Sequence, residues 1–160
     1  MQRIIWCAIA ALFITLRISN AAGAAKTPED AIKYRHAVME EMASHMSALT
    51  LILFDKVDGA AYAQGHADAL ARASAELEIL FPEVSRDGDT EALPVIWDNP
   101  EKFSEAVAKA QSTTRDLQAA IGGDDRPATL AAMAAAGKAC KACHEDYRAE
   151  EEDDSDSHSH

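Results

Sequence analysis

Residues 27–59 read TPEDAIKYRHAVMEEMASHMSALTLILFDKVDG, a pattern that indicates one long amphipathic helix. A Thr-Pro pair followed by two acidic residues is typical of a helix start. Asp58-Gly59 predict the helix end. Between them runs a seven-residue repeat that predicts packing against other helices, and one member of its interleaved set is charged: Ile32, Met39, Met46 and Leu53, with Arg35, Met42 and Leu49 between them.

The rest of the chain continues in helical periods separated by prolines and glycines. Each period predicts one inward face: Ala63, Ala67, Leu70, Leu77, Leu80 and Phe81 in the second helix, Phe103, Val107, Ala110, Leu117 and Ile121 in the third, and Leu130, Met133 and Gly137 in the fourth. Three short connections and apolar seams of this width predict an all-α fold, an antiparallel up-down-up-down four-helix bundle. The predicted elements after the first helix are a helix from Ala60 to Phe81, a connection over 82–99 anchored by Val95, Ile96 and Trp97, a helix from Asn99-Pro100 to Gly122, and a helix from Asp125-Arg126 that carries Met133, Cys140, His144 and Tyr147.

Composition agrees with one helical domain. The chain has 160 residues, 48% of them hydrophobic but only 6% aromatic, and glycine and proline are scarce. The formal net charge of −12 excludes nonspecific binding to nucleic acid, because the phosphate backbone would repel the protein.

The two ends of the chain differ from the middle. Residues 1–24 carry Arg3, an apolar stretch and an Ala-Gly-Ala site, which predicts a cleaved Sec-type signal peptide, a periplasmic location and no membrane insertion after cleavage. Cleavage removes two arginines and brings the net charge to about −14. The bundle is predicted over 25–148. Residues 149–160 read as a disordered acidic tail, in which His158 and His160 are candidates for loose metal binding.

The sequence Cys140-Lys141-Ala142-Cys143-His144 has the C-x-x-C-H pattern that attaches haem c. Positions i and i+3 of a helix share a face, so both thiols can reach one porphyrin edge, and the following histidine can act as the axial ligand of the iron. A disulfide, a thioredoxin-like site and a zinc site are the alternatives. The second lacks an α/β context, and the third lacks a second pair of ligands. The motif therefore predicts one covalent haem c.

Two residues of the first helix are candidates for the other side of this haem. Arg35 lies on an apolar seam, so it should face an anion such as a haem propionate, unless it turns to solvent or to Glu29. Met39 lies one turn further, where a thioether either ligates iron or packs in a core. His36 and His45 are further ligands by residue type.

Together with the haem motif, several flanking segments resemble class II c-type cytochromes, the cytochrome c′ group. The resemblance implies a haem near one end of the bundle and a homodimer packed through the first two helices. It also implies that Arg35 lies by a propionate, Met39 on the distal side of the iron and Arg148 beside the proximal His144. The segments that carry it are Pro28-Glu29-Asp30-Ala31, Tyr34-Arg35, Phe81-Pro82, Leu93-Pro94-Val95-Ile96-Trp97 and Tyr147-Arg148.

The resemblance implies one-electron transfer, binding of diatomic gases such as nitric oxide and carbon monoxide, or both. Met39 separates two interpretations: a high-spin iron with an open distal side, or a low-spin electron carrier ligated by Met39 and His144. No nucleophile–base pair, P-loop or dinucleotide motif is present, so we do not expect an enzyme. The acidic chain predicts a redox partner with a basic face.

Overall fold

The structure is a computed structural model that describes residues 27–123 and 125–150. Around the bundle, α1 packs on α2, α2 on α4 and α4 on α5, while contact between α5 and α1 is sparse. The predicted four-helix bundle is confirmed, whereas the predicted signal peptide lies outside the described residues. The helices are α1 (Pro28–Leu53), α2 (Ala60–Ser74), α3 (Val95–Asp98), α4 (Pro100–Ile121) and α5 (Arg126–Tyr147).

Two predicted helix starts, those of α1 and α5, are confirmed by side-chain caps, whereas Asn99 at the start of α4 makes no side-chain capping hydrogen bond. The hydroxyl of Thr27 accepts a hydrogen bond from the amide of Asp30 at 3.1 Å, and the carboxylate of Asp125 accepts one from the amide of Ala128 at 3.0 Å. Each cap satisfies an amide that has no partner inside its helix.

The first helix ends earlier than its sequence predicts. It stops at Leu53 rather than near residue 58, because Asp55 adopts a left-handed conformation with a φ of 55°. Arg126 at the start of α5 then donates to the carbonyl of Leu53 at 2.8 Å and to the carboxylate of Asp55 at 2.5 Å. The helix end is therefore fixed by a contact with a residue more than seventy positions away.

The second helix was also predicted too long, since α2 ends at Ser74 and not at Phe81. A 3₁₀ helix follows over Leu77–Leu80. Its tighter turn places residues i and i+3 over one another, and both Leu77 and Leu80 are buried. The change of helix type thus keeps both leucines in the core where a continued α-helix was predicted.

The connection over 82–99 is folded against the bundle rather than loose. Ile96 is buried and the indole of Trp97 donates to the carbonyl of Phe81 at 3.1 Å, as their predicted anchoring role requires. Val95 was predicted to anchor it as well, but this side chain is 39% exposed. The prediction for Val95 is wrong because the three residues form a short helix, α3, whose faces cannot all point inward.

Gly88 allows this connection to approach α1. Its φ is 137°, a conformation that side chains disfavour, and a Cβ atom there would lie 2.9 Å from Cδ1 of Ile32. No helix in the described part of the chain is long and apolar enough to cross a membrane. The predicted seams are largely confirmed, since their members make up most of the buried core: Ile32, Met42, Leu49, Leu53, Ala63, Ala67, Leu70, Leu77, Leu80, Phe103, Val107, Ala110, Leu117 and Met133.

Candidate functional site

A cavity of about 260 Å³ lies where α1 and α5 make little contact. It is bordered by one stretch of α1, by the connection before α4, by one aromatic residue of α4 and by the last turn of α5. The cavity brings together residues far apart in the sequence: Arg35, His36, Met39, Glu40, Ala43, Phe81, Thr90, Glu91, Ala92, Ile96, Phe103, Cys143, His144, Tyr147 and Arg148.

Helix α5 carries the sequence motif to the edge of this cavity. Cys143 and His144 border it directly, and Cys140 lies one turn earlier, half-buried, outside the lining. Both cysteines are free thiols, so the two sulfurs are not joined in a disulfide. His144 is exposed and also borders a surface groove on its other side, together with Lys141 and Arg148.

The protonation states of these groups follow from their burial. Burial, together with the neighbouring Cys140 and Asp146, raises the pKa of Cys143 to about 11. The protein without haem therefore holds this thiol protonated and slow to react as a nucleophile at neutral pH. Although His144 is exposed on one side, the side that borders the cavity is shielded from water, and this desolvation lowers its pKa, as does Arg148, against an opposing effect of Glu91. His144 is thus neutral at pH 7, the form that binds metals.

Arg35 lies opposite, on α1, with only 3% of its surface exposed. Its guanidinium donates to the carbonyl of Leu80 at 3.3 Å, to the hydroxyl of Ser85 at 3.0 Å and to that of Thr90 at 2.6 Å. The alternative that Arg35 reaches solvent or Glu29 is wrong. Among the described residues its hydrogen-bond partners are neutral, so its charge is buried without a carboxylate.

The three other candidate ligands on α1, Met39, His36 and His45, have different positions relative to the cavity. Met39 is half-buried and borders the cavity. His36 is exposed, yet it also borders the cavity. His45 does not, because its ring faces His66 of α2. As candidate ligands inside the cavity, Met39 and His36 remain, and His45 is excluded.

An aromatic wall closes the cavity on the side of the core. The ring of Phe103 lies 4.8 Å from that of Phe81 and 5.1 Å from that of Tyr147, both edge to face. The guanidinium carbon of Arg35 stands 4.9 Å from the centre of the Phe81 ring. Such contacts stabilise both the wall and the buried cation. The apolar period of α4 was the signal that placed Phe103 inward.

Sequence reasoning missed the part that the connection plays. The amide of Leu93 donates to the carbonyl of Tyr147 at 3.0 Å, and the amide of Ala149 donates to the carbonyl of Glu91 at 2.8 Å. The carboxylate of Glu91 also lies 3.4 Å from the side chain of Arg148. These bonds tie residues 91–93 to the end of α5 and to Ala149, the first residue of the predicted tail. No period or motif in residues 82–99 points to this pairing.

Comparison with known proteins identifies the family. The family profile described as Cytochrome C′ matches residues 30–148, most of the chain. The chain belongs to the cytochrome c′ family. A cytochrome c′ from Pararhodospirillum photometricum is 35% identical over 124 residues, covering 76% of this chain and 98% of that protein.

Solved cytochrome c′ structures share the fold. One from Shewanella frigidimarina has a TM-score of 0.75 at 31% identity and covers 79% of this chain and 99% of its own. A ferrous variant from Alcaligenes xylosoxidans with bound nitric oxide has a TM-score of 0.73 at 30% identity, with the same coverage. A variant of the latter protein with bound carbon monoxide has a TM-score of 0.72 at 31% identity and covers 78% and 98%.

Proteins of the cytochrome c′ family carry a covalently bound haem c with its iron. The residues around the cavity fit such a group in kind: two thiols one helical turn apart, a neutral imidazole beside the second, an apolar aromatic wall and a buried cation opposite. Among the described residues no group of three or more His, Cys, Asp or Glu could hold a metal ion by itself.

Proposed function

We propose that this protein is a periplasmic monohaem cytochrome that binds a diatomic gas and transfers single electrons. Cys140 and Cys143 would form the thioethers, and His144 would be an axial ligand. The observation that carries the proposal is the cavity that sets Cys143 and His144 of α5 against Arg35 and Met39 of α1.

The buried cation supports the same assignment. A buried charge with only neutral partners is costly, and an anion delivered with the cofactor would lower that cost. Arg35 has a buried guanidinium and neutral hydrogen-bond partners, and it borders the cavity. We therefore assign Arg35 to a haem propionate. Ser85 and Thr90 would hold the guanidinium of Arg35 in place beside that propionate.

Haem c supplies an iron that exchanges one electron and binds small ligands on a free axial side. The surrounding chain decides how it is used. His144 would offer a neutral nitrogen to the iron, with Arg148 one turn later. Met39 and the aromatic rings would give the haem largely apolar surroundings, which favour an uncharged diatomic ligand over an anion. We propose that the thioether of Met39 packs there without ligating, so that the iron is high-spin.

We propose nitric oxide and carbon monoxide as the gas ligands because structures of the Alcaligenes xylosoxidans relative contain them. That protein shares about a third of its residues with this chain over nearly its whole length. The lining of the cavity in this chain supports transfer of the property, since its apolar residues outnumber the charged ones on the side of the core. The second candidate, a low-spin carrier without gas binding, rests on Met39 bordering the same cavity.

An optical titration separates the two candidates. Ferric and ferrous spectra of the parent protein and of Met39→Ala should be recorded with and without nitric oxide. We expect a high-spin ferric spectrum in both, with the ferrous band shifted by nitric oxide in both, because removal of a packing thioether leaves the iron's ligands unchanged.

A third variant, His36→Gln, tests whether the imidazole of His36, which also borders the cavity, is the sixth ligand of the iron. A low-spin parent whose methionine–iron charge-transfer band disappears in Met39→Ala would establish the electron carrier instead. A low-spin parent that becomes high-spin only in His36→Gln would assign the sixth ligand to histidine. Either result contradicts the open distal side.

We place the protein in the periplasm because of the predicted leader, and we expect a partner with a basic face. The mature charge of about −14 follows from the sequence count. Electron transfer from a basic donor cytochrome should slow as salt rises, because ions screen the attraction that steers the encounter. Stopped-flow rates over a range of ionic strength measure this. An acidic donor is the control and should show the opposite slope; equal, flat slopes for both donors would exclude steering.

We further propose a homodimer that buries the exposed apolar side chains around the turn between α1 and α2. Leu51, Phe54, Val57 and Tyr62 are between 47% and 71% exposed. Replacing Leu51 by Glu should weaken the dimer by at least about tenfold, because a charge would be buried in its interface. Sedimentation equilibrium measures the dissociation constant, and Thr50→Glu, on an adjacent exposed site, is the control. A parent that is monomeric at all concentrations would contradict the dimer.

A further inference from the structure

His45 of α1 and His66 of α2 form a pair that the haem site does not use. Their Nδ1 atoms lie 3.0 Å apart, their ring centres lie 5.3 Å apart and the ring planes meet at 55°. Neither histidine borders the haem cavity. On the far side of one ring, a carboxylate oxygen of Glu41 lies 3.7 Å from Nε2 of His45.

The distance between the two nitrogens matches that of adjacent ligands on a metal ion. With metal–nitrogen bonds of about 2.0–2.1 Å, two nitrogens at a right angle lie about 2.9 Å apart, and two at the tetrahedral angle about 3.4 Å apart. The observed 3.0 Å is nearer the first value. Imidazole nitrogens in square arrangements are typical ligands of Cu²⁺ and Ni²⁺. We propose that His45 and His66 chelate a divalent ion of this class through Nδ1 and thereby join α1 to α2.

The surroundings of the pair suit such a site. Both rings are half-buried, so they are held in place yet reached from solvent. Glu41 lies on the Nε2 side of His45, too far for a hydrogen bond at 3.7 Å, but its charge favours a cation near that ring. The acidic chain attracts cations to its surface.

A plain hydrogen bond between one protonated and one unprotonated nitrogen gives the same distance, so the test has to measure the metal itself. The protein, oxidised and carrying its haem, is titrated with Cu²⁺ alone in a calorimeter. His158→Gln and His160→Gln are present throughout, because the terminal histidines are a second source of imidazole. We expect one ion per chain in this background.

In this background, either additional substitution, His45→Gln or His66→Gln, should weaken Cu²⁺ binding by about a hundredfold, because a single imidazole then binds the ion without a chelating partner. His36→Gln, an exposed histidine of the same helix, should leave the affinity unchanged. Cu²⁺ should also raise the midpoint of thermal unfolding in the background protein and not in either pair variant, because it binds only where both helices are folded together.

Three outcomes would overturn the proposal: no Cu²⁺ bound in the background protein, equal affinity in the pair variants, or a thermal shift that survives His66→Gln. Circular dichroism and the haem spectrum establish that each variant is folded. Using two separate pair variants ensures that misfolding of one of them leaves the other as a test.

Discussion

Replacing Cys140 and Cys143 together with alanine is expected to leave the protein with no covalently bound haem. The two thioethers would be the only covalent links, since Cys7 lies in the predicted leader and no other cysteine is present. Haem-stained denaturing gels and the mass of the intact chain measure the loss. Lys141→Ala, an exposed substitution between the two cysteines, is the matched control and should retain full attachment.

The same double variant should also be much less stable. At about 24 cal/mol per Å³ of unfilled volume, a cavity of 260 Å³ corresponds to a loss of about 6 kcal/mol, reduced by whatever water enters. The sparse contact between α1 and α5 gives little to replace the missing packing. Urea unfolding followed by circular dichroism gives the free energy. Haem retained on the gel would disprove the attachment sites, and unchanged stability would show that haem does not fill this cavity.

Replacing Arg35 with leucine is expected to lower the free energy of unfolding. It removes the donor of three hydrogen bonds, which are accepted by the carbonyl of Leu80 and by the hydroxyls of Ser85 and Thr90. The hydroxyls of Ser85 and Thr90 keep hydrogen bonds to the carbonyl of Pro82 and from the amide of Ala92, so we expect the cost of one buried polar group left unsatisfied, about 1–3 kcal/mol. Arg115→Leu, on an exposed site of α4, should change stability by less than about 0.5 kcal/mol.

Arg35→Leu should also lower the reduction potential, by about tens of millivolts, because a nearby positive charge disfavours the oxidised iron. The pH dependence of the potential should move to higher pH, since a propionate that loses its cation ionises less readily. Potentiometric titration across pH measures both changes. Curves that overlay those of the parent would mean that Arg35 acts on the loop alone and not on a propionate.

The sequence predicted well whatever depends on local period and covalent chemistry. The seam of α1, the caps at Thr27 and Asp125 and the inward side of Phe103 all follow from patterns a few residues long. It failed where distant residues decide. Helix α1 ends where Arg126 meets its last carbonyl, and Val95 points outward because α3 forms.

By itself, the sequence determined the helical bundle, the C-x-x-C-H motif and the presence of a charged residue on an apolar seam, because each is encoded in spacing along one element. Only the tertiary structure decided what that charged residue meets and which histidines share its cavity. Arg35 binds a loop fifty residues away, and His45 turns from the haem cavity to His66. Such pairings depend on how the helices rotate and cross as they bury their apolar faces, and no local pattern specifies that rotation.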